Sequence, residues 1–268
     1  MPASQKRSEA DSAERIQQEN RTWWDRNPMT YDWRGETPLT PLSAPWFEAL
    51  DRRQIEGHRL FATEREPFDR VLPLDQLAGK HVLEIGCGMG LHTQVMAAKG
   101  AHVTAVDLTP TAVQATQARL ALKGLKARVM EADAERLPFE KASFDFVWSW
   151  GVIHHSARTT RIVREISRIT KPDGEARVMV YNREGTWARA YFLRAHLLGG
   201  RFLNHTFDET LWAKTDGFSA RYYVREQFED LFRGFFEQVG SEICGQEEDA
   251  VPLPRVLSLC PTEVTLRH

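Results

Sequence analysis

Between Val82 and Gly90 a short apolar run breaks into three alternating glycines, Gly86-Cys87-Gly88-Met89-Gly90, and passes straight into a helix-like segment at 91–98. A strand that turns into a helix through such a loop opens an α/β unit and is the usual start of a nucleotide-type cofactor site. The spacing narrows the ligand. A dinucleotide fingerprint has its third glycine at the sixth position of G-x-G-x-x-G, where this chain has Leu91. Here the glycines alternate, with Glu84 two residues ahead of the first. That form suits a ligand with no pyrophosphate, whose amino-acid portion lies close against the backbone. Glu84 itself is a charge inside an apolar strand, which is costly unless it is paired or directed at a ligand.

The rest of the core follows the same rhythm. Strand-like runs at 81–85, 101–106, 127–131, 144–150 and 176–181 alternate with helix-like runs at 91–98, 111–122 and 159–170. Such alternation predicts a parallel sheet with helices on both faces. Val178-Met179-Val180 and Phe146-Val147-Trp148 have the continuous apolar character of strands buried on two sides.

Two acids stand where strands end. The second strand closes on Asp107, about twenty residues after the first glycine, where a carboxylate can hold a ribose diol. Hydrogen bonds to a charged carboxylate are worth about 1.5–3 kcal/mol, so losing Asp107 should weaken binding about tenfold to a hundredfold. Asp133-Ala134 follows the third strand, where an acid can accept from an exocyclic amino group and so read adenine. An Asp opening a loop can also serve as an Asx-turn or helix cap.

Taken together, Val82 to Gly90, Val106-Asp107-Leu108-Thr109-Pro110, Glu131-Ala132-Asp133-Ala134, Leu137-Pro138-Phe139 and Ser143-Phe144-Asp145 resemble the successive motifs of class I S-adenosylmethionine-dependent methyltransferases. The nearest subset is the methyltransferase type 11 group, which includes quinone-pathway enzymes. Gly151-Val152-Ile153-His154-His155 and Lys171-Pro172-Asp173-Gly174-Glu175 extend the match, with Asp173 standing where that family more often has glycine. The resemblance spans roughly 79–182 and is specific as a set. It implies a Rossmann-like, seven-stranded, mostly parallel sheet with helices on both faces, closed by an antiparallel pair near 241–245 and 256–259. It also implies S-adenosylmethionine as cofactor, with Glu84, Gly86, Cys87, Gly88, Gly90, Asp107, Leu108, Asp133, Ala134 and Ser149 as its ligands. Methyl transfer from a sulfonium needs alignment and desolvation more than acid or base chemistry, and no metal.

His154 and His155 lie just past the fourth strand, with Ser149 and Trp150 facing the crevice. One imidazole could take a proton from the acceptor; equally, the pair could be structural, donating to backbone carbonyls. The nucleic-acid amino methyltransferases carry an Asn/Asp-Pro-Pro-aromatic run where this chain has Ser149-Trp150-Gly151-Val152. The net charge of −2 gives no attraction to a polyanion. The acceptor expected is a small molecule, with a protein or RNA substrate, or cofactor binding without transfer, as the alternatives.

Outside the core, residues 1–76 read as a helical, aromatic cap and 77–268 as the methyltransferase domain, with an insertion after the fifth strand at about 183–224. Up to about Glu19 the chain is polar and reads as frayed or loosely helical. Trp23, Trp24, Tyr31 and Trp33 then crowd together, either as a lid over the sheet's carboxyl edge or as a staple to the domain. The insertion bears a helical stretch at 187–198, and a last helix is expected at 225–239, with Phe228, Leu231, Phe232, Phe235 and Phe236 at helical spacing. Asp51-Arg52-Arg53 reads as a solvated face. Cys87, Cys244 and Cys260 lack metal-ligand spacing. No run is long and apolar enough for a membrane span, and the opening residues do not form a signal core, so a cytoplasmic protein is expected.

Overall fold

The structure, a computed structural model, describes residues 3–30, 38–63, 66–212, 217–243 and 262–267. The chain forms α1 (Ala3–Arg26), α2 (Ala44–Gly57), β1 (His81–Ile85), α3 (Leu91–Ala98), β2 (His102–Asp107), α4 (Pro110–Lys123) and β3 (Arg128–Glu131). It continues through β4 (Phe144–Trp150), α5 (Thr159–Ile169), β5 (Thr170–Val180), α6 (Thr186–Tyr191), α7 (Phe207–Trp212), α8 (Arg225–Arg233), β6 (Gln238–Ile243) and β7 (Thr262–Arg267). The strands lie in the order β3-β2-β1-β4-β5-β7-β6. The run from β3 to β5 is parallel, and β7 is antiparallel to both of its neighbours. The seven-stranded sheet therefore has a parallel run of five, with the antiparallel pair added at one edge. Strand order reverses between β1 and β4, which opens a crevice at their carboxyl ends.

Alternation along each strand divides the core in two. Leu83, Ile85, Val147, Val178 and Val180 face one side and pack with Ile162, Val163 and Ile166 of α5 and Phe228 and Phe232 of α8. Val82, Phe146, Trp148 and Met179 face the other and pack with Leu91 and Met96 of α3 and with Phe61, Phe68 and Leu72. A period of two with apolar residues at both phases is what a strand covered on both faces requires. The Thr109 hydroxyl caps α4 by accepting from Ala112 N–H, with Pro110 at the first helical position.

The polar stretch before Glu19, expected to be frayed or loosely helical, is the first part of α1. The helix expected at 225–239 stops at Arg233; Gly234 follows, and Phe236 is buried beyond the helix. The closing strand is Thr262–Arg267, whereas 256–259 lies outside the described residues, as do Tyr31, Trp33, Cys244 and Cys260. Among the described residues no helix is long and apolar enough to cross a membrane.

Candidate active site

The glycine loop is turned back on β2: Gly86 N–H and Cys87 N–H both donate to the Val106 carbonyl, at 2.8 and 3.1 Å. Gly86, Gly88 and Gly90 have φ of +79°, +51° and +82°, a region that L side chains avoid. Their surroundings differ. A Cβ on Gly86 would sit 2.2 Å from a Val152 methyl, and one on Gly90 2.8 Å from the Thr116 hydroxyl. At Gly88 nothing lies within 4 Å. The outer two glycines thus answer to the protein's own packing, and Gly88 alone offers backbone to open space, where a ligand can approach.

Glu84, 1% exposed, accepts from the Thr93 hydroxyl and lies 3.5 Å from His92 Nδ1, so it ties β1 to the first turn of α3. From α4, Thr116 donates to the Gly88 carbonyl at 3.1 Å and Arg119 Nε to the Met89 carbonyl at 2.6 Å. Arg119 also reaches Asp51 at 2.9 Å and Gln94 at 3.1 Å, with its guanidinium over the Phe47 ring. Asp51 is therefore a partner of the glycine loop's support and not part of a solvated face. Sequence reading missed Thr116 and Arg119. The available signal was their phase, since both fall among Ala112, Ala115 and Leu120 on the buried stripe of α4.

Asp107 is joined directly to the loop: it accepts from Gly88 N–H at 3.0 Å and from the Thr109 N–H and hydroxyl, also at 3.0 Å. Burial raises its carboxyl above the ordinary aspartate value despite these bonds. Asp133 accepts from Glu135 N–H and from Gln17 of α1, both at 2.9 Å, and burial raises it too. At Asp133 lies a cleft of about 230 Å³ whose walls include Leu108, Ala132, Asp133 and Arg158, with Gln17 and Arg21 of α1 lining it as well. The Gln17 side-chain oxygen is buried without a hydrogen-bond partner among the described residues. A group with donors to offer would fit there. Ala134 packs against the core beside this cleft. Arg158 is held by Glu135, which accepts from its Nε at 2.7 Å and from Ser156 at 2.7 Å.

Cys87 is a buried thiol that accepts from Thr116 at 3.4 Å and is raised well above its usual pKa by burial, so it contributes backbone and packing, not a thiolate. Ser149 does not turn its side chain to the crevice: its hydroxyl is buried and donates to the Ile85 carbonyl at 3.4 Å. Trp150 packs inward against Trp148 and Phe61. The alternation that puts Val147 and Ser149 on one face and Trp148 and Trp150 on the other leaves only the end of β4 for the crevice.

The two histidines separate. His155 Nδ1 bonds the Ser219 carbonyl at 2.7 Å, its ring meets Trp24 edge-on, and its own carbonyl accepts from Asn20 at 2.6 Å. His154 is fully buried between the rings of His155 and Tyr181, each 4.1 Å away, and neither of its ring nitrogens has a partner among the described residues. Burial, aided by His155, holds its pKa well below 6.5, and burial brings His155 to about 4. Both are neutral at pH 7.

Above the site, α1 is fixed at several points: Gln17 to Asp133, Asn20 to the His155 carbonyl, Arg21 to Glu131 at 2.6 Å, and Asp25 to the Thr111 hydroxyl at 2.7 Å. These partners stand at or past the ends of β2, β3 and β4. The end of the insertion covers the remaining side, with Arg221 N–H on the His154 carbonyl and Tyr223 N–H on the Tyr181 carbonyl, both at 2.9 Å.

A Rossmann-like sheet with a glycine loop bonded to a strand-end acid is the arrangement of a nucleotide-type cofactor site. Residues 83–178 match the family model described as a methyltransferase domain. An uncharacterized protein of Mycobacterium bovis is 36% identical over 161 residues, covering 57% of this chain and 58% of the relative. A ubiquinone biosynthesis O-methyltransferase of Aromatoleum aromaticum is 33% identical over 138 residues, covering 47% of this chain and 59% of that protein. The chain thus spans less than two thirds of these relatives' length. Among solved structures, an S-adenosylmethionine-dependent methyltransferase of Methanosarcina mazei superposes with a TM-score of 0.56 at 19% identity, over 74% of this chain and 95% of that one. Another, from Mesorhizobium loti, gives 0.54 at 18% identity over 75% and 95%. These show the shared fold.

Proposed function

We propose that the protein transfers a methyl group from S-adenosylmethionine to a small molecule, with a phenolic or quinone-like ring as the leading class among O-, C- and N-acceptors. The observation that carries the cofactor half is the open backbone at Gly88, bonded to Asp107, whose neighbour Leu108 lines the Asp133 cleft. In this reading Gly88 and Cys87 backbone groups receive the amino-acid end, Asp107 the ribose and Asp133, with Gln17, the adenine amino group. Gly86, Gly90 and Glu84 shape the loop, Leu108 and Ala134 flank the base, and Ser149 acts through the β4 backbone alone. When bound, S-adenosylmethionine supplies a methyl group already activated by its sulfonium.

The acceptor half rests on His154. A buried imidazole with two unused ring nitrogens is costly unless something meets it, and a neutral imidazole can accept a proton from an acceptor hydroxyl. Tyr181 supplies an aromatic wall suited to a flat ring. The ubiquinone-pathway relatives support the phenolic class. Residues 1–76 then act as a cap over a catalytic domain at 77–268, with the insertion at about 183–224 as the second wall.

Labelled methyl from S-adenosylmethionine, offered in an extract of the source cells and fractionated by size, tests the proposal. The label should appear in small molecules. Label in protein or RNA would favour a macromolecular acceptor, and cofactor binding with no transfer would favour a non-catalytic role.

A further inference from the structure

Nine large apolar residues are exposed among the described residues, and five of them, Leu193, Leu197, Leu198, Phe202 and Leu203, fall within the eleven-residue stretch 193–203 of the insertion. Apolar residues scattered singly over a surface need no explanation, whereas a contiguous group marks a contact. The helical run here has a finished inner face. His196 is buried and bonds the Thr210 hydroxyl at 3.0 Å, and Phe192 packs edge-on to Phe207 of α7. Its outer face, with Leu193, Leu197 and Leu198 about a turn apart, has no such cover. Gly199 and Gly200 then reverse the chain, and the short turn Arg201–Leu203 presents Phe202 and Leu203. Leu198 is 79% exposed and Leu203 71%, on either side of that reversal. Values so high belong to a convex tip, not to the wall of a groove.

Charge selects the partner. From 183 to 205 the chain carries Arg183, Arg189, Arg194 and Arg201 against the single acid Glu184, within a protein of net charge −2. Arg183 is engaged with Asp208 at 3.2 Å. Arg189 and Arg194 are exposed, and no carboxylate pairs with them among the described residues. We infer that this tip docks on an anionic lipid surface, its leucines and Phe202 entering below the headgroups while Arg189 and Arg194 meet the phosphates. A second copy of the chain suits the patch poorly, because self-pairing would set arginines against arginines. The insertion leaves and rejoins the domain at one place, through Arg183 N–H on the Tyr223 carbonyl and Tyr223 N–H on the Tyr181 carbonyl. A docked tip would therefore hold the crevice rim near the lipid, whatever the acceptor is.

Co-sedimentation of the full chain with vesicles of phosphatidylcholine alone, or mixed with phosphatidylglycerol, tests this. The protein should pellet with the anionic vesicles only. Arg189→Gln and Arg194→Gln should each weaken binding about fivefold, from about 1 kcal/mol per surface arginine. The double variant Leu198→Glu/Leu203→Glu should stay in solution with an unchanged melting temperature. Equal binding to both vesicles, or binding to neither, would overturn the inference. So would a dimer in sedimentation equilibrium that Leu198→Glu dissociates, since it would give the tip to a second copy.

Discussion

His154 and His155 are adjacent in sequence and opposite in surroundings. His155 has spent its ring on the Ser219 carbonyl, 64 positions away, and its carbonyl on Asn20, 135 positions away. His154 has spent neither nitrogen. The sequence places both at the end of β4 but cannot tell them apart, because what distinguishes them arrives from such distant partners. His154→Ala should lower turnover by roughly a hundredfold with cofactor affinity nearly unchanged. His155→Ala should act mainly on stability, by freeing the Ser219 segment and the edge contact with Trp24. Because burial holds His154 well below 6.5, protonation inactivates it only at lower pH. The acid limb of kcat/KM should therefore lie well below the ordinary histidine value of 6.5. Equal losses in both variants, or a limb near 6.5, would show that His154 is not the base.

Among the elements, α1 is the one whose role the sequence left open, and its contacts bear on the choice between lid and staple. Gln17, Asn20, Arg21 and Asp25 reach groups at or past the ends of β3, β4, β3 and β2 respectively, so the helix spans the mouth of the crevice. Its hydrogen bonds to the domain are few, about 1 kcal/mol each. Deleting residues 1–34 should then lower the melting temperature by only roughly 5–10 °C while abolishing methyl transfer. Trp23 and Trp24 fluorescence should change when S-adenosylmethionine is added to the intact chain. Full activity after deletion would leave α1 as a staple. By contrast, β1, β4, α3 and α4 were legible in the sequence to within a residue or so, since apolar periodicity and local caps such as Thr109-Pro110 specify them from within. Elements defined by distant partners were less so: the start of α1 read as frayed or loosely helical because a partner such as Asp133 for Gln17 lies more than a hundred residues away, and α8 ends early, at Arg233.

For the molecule as a whole, the cofactor side and the acceptor side differ in how much of them the sequence carries. The glycine loop, Asp107 and Asp133 sit on consecutive strand ends, so their spacing along the chain reports their position in space. Even there, Arg119, Thr116 and Glu135, which hold the loops in place, escaped notice because isolated polar residues on helices and loops look like surface. The acceptor side is assembled from α1, the segment after β4 and the end of the insertion, three stretches with no fixed spacing, and the acceptor itself stays unnamed for that reason. Calorimetric titration of S-adenosylmethionine, NAD and ATP into the intact protein and into Asp107→Ala is the most direct check on the site as a whole. S-adenosylmethionine should bind the intact protein far more tightly than the other two, and the substitution should raise its dissociation constant about tenfold to a hundredfold with the circular dichroism spectrum unchanged. NAD binding as tightly as S-adenosylmethionine, or an Asp107→Ala protein with unaltered affinity, would contradict it.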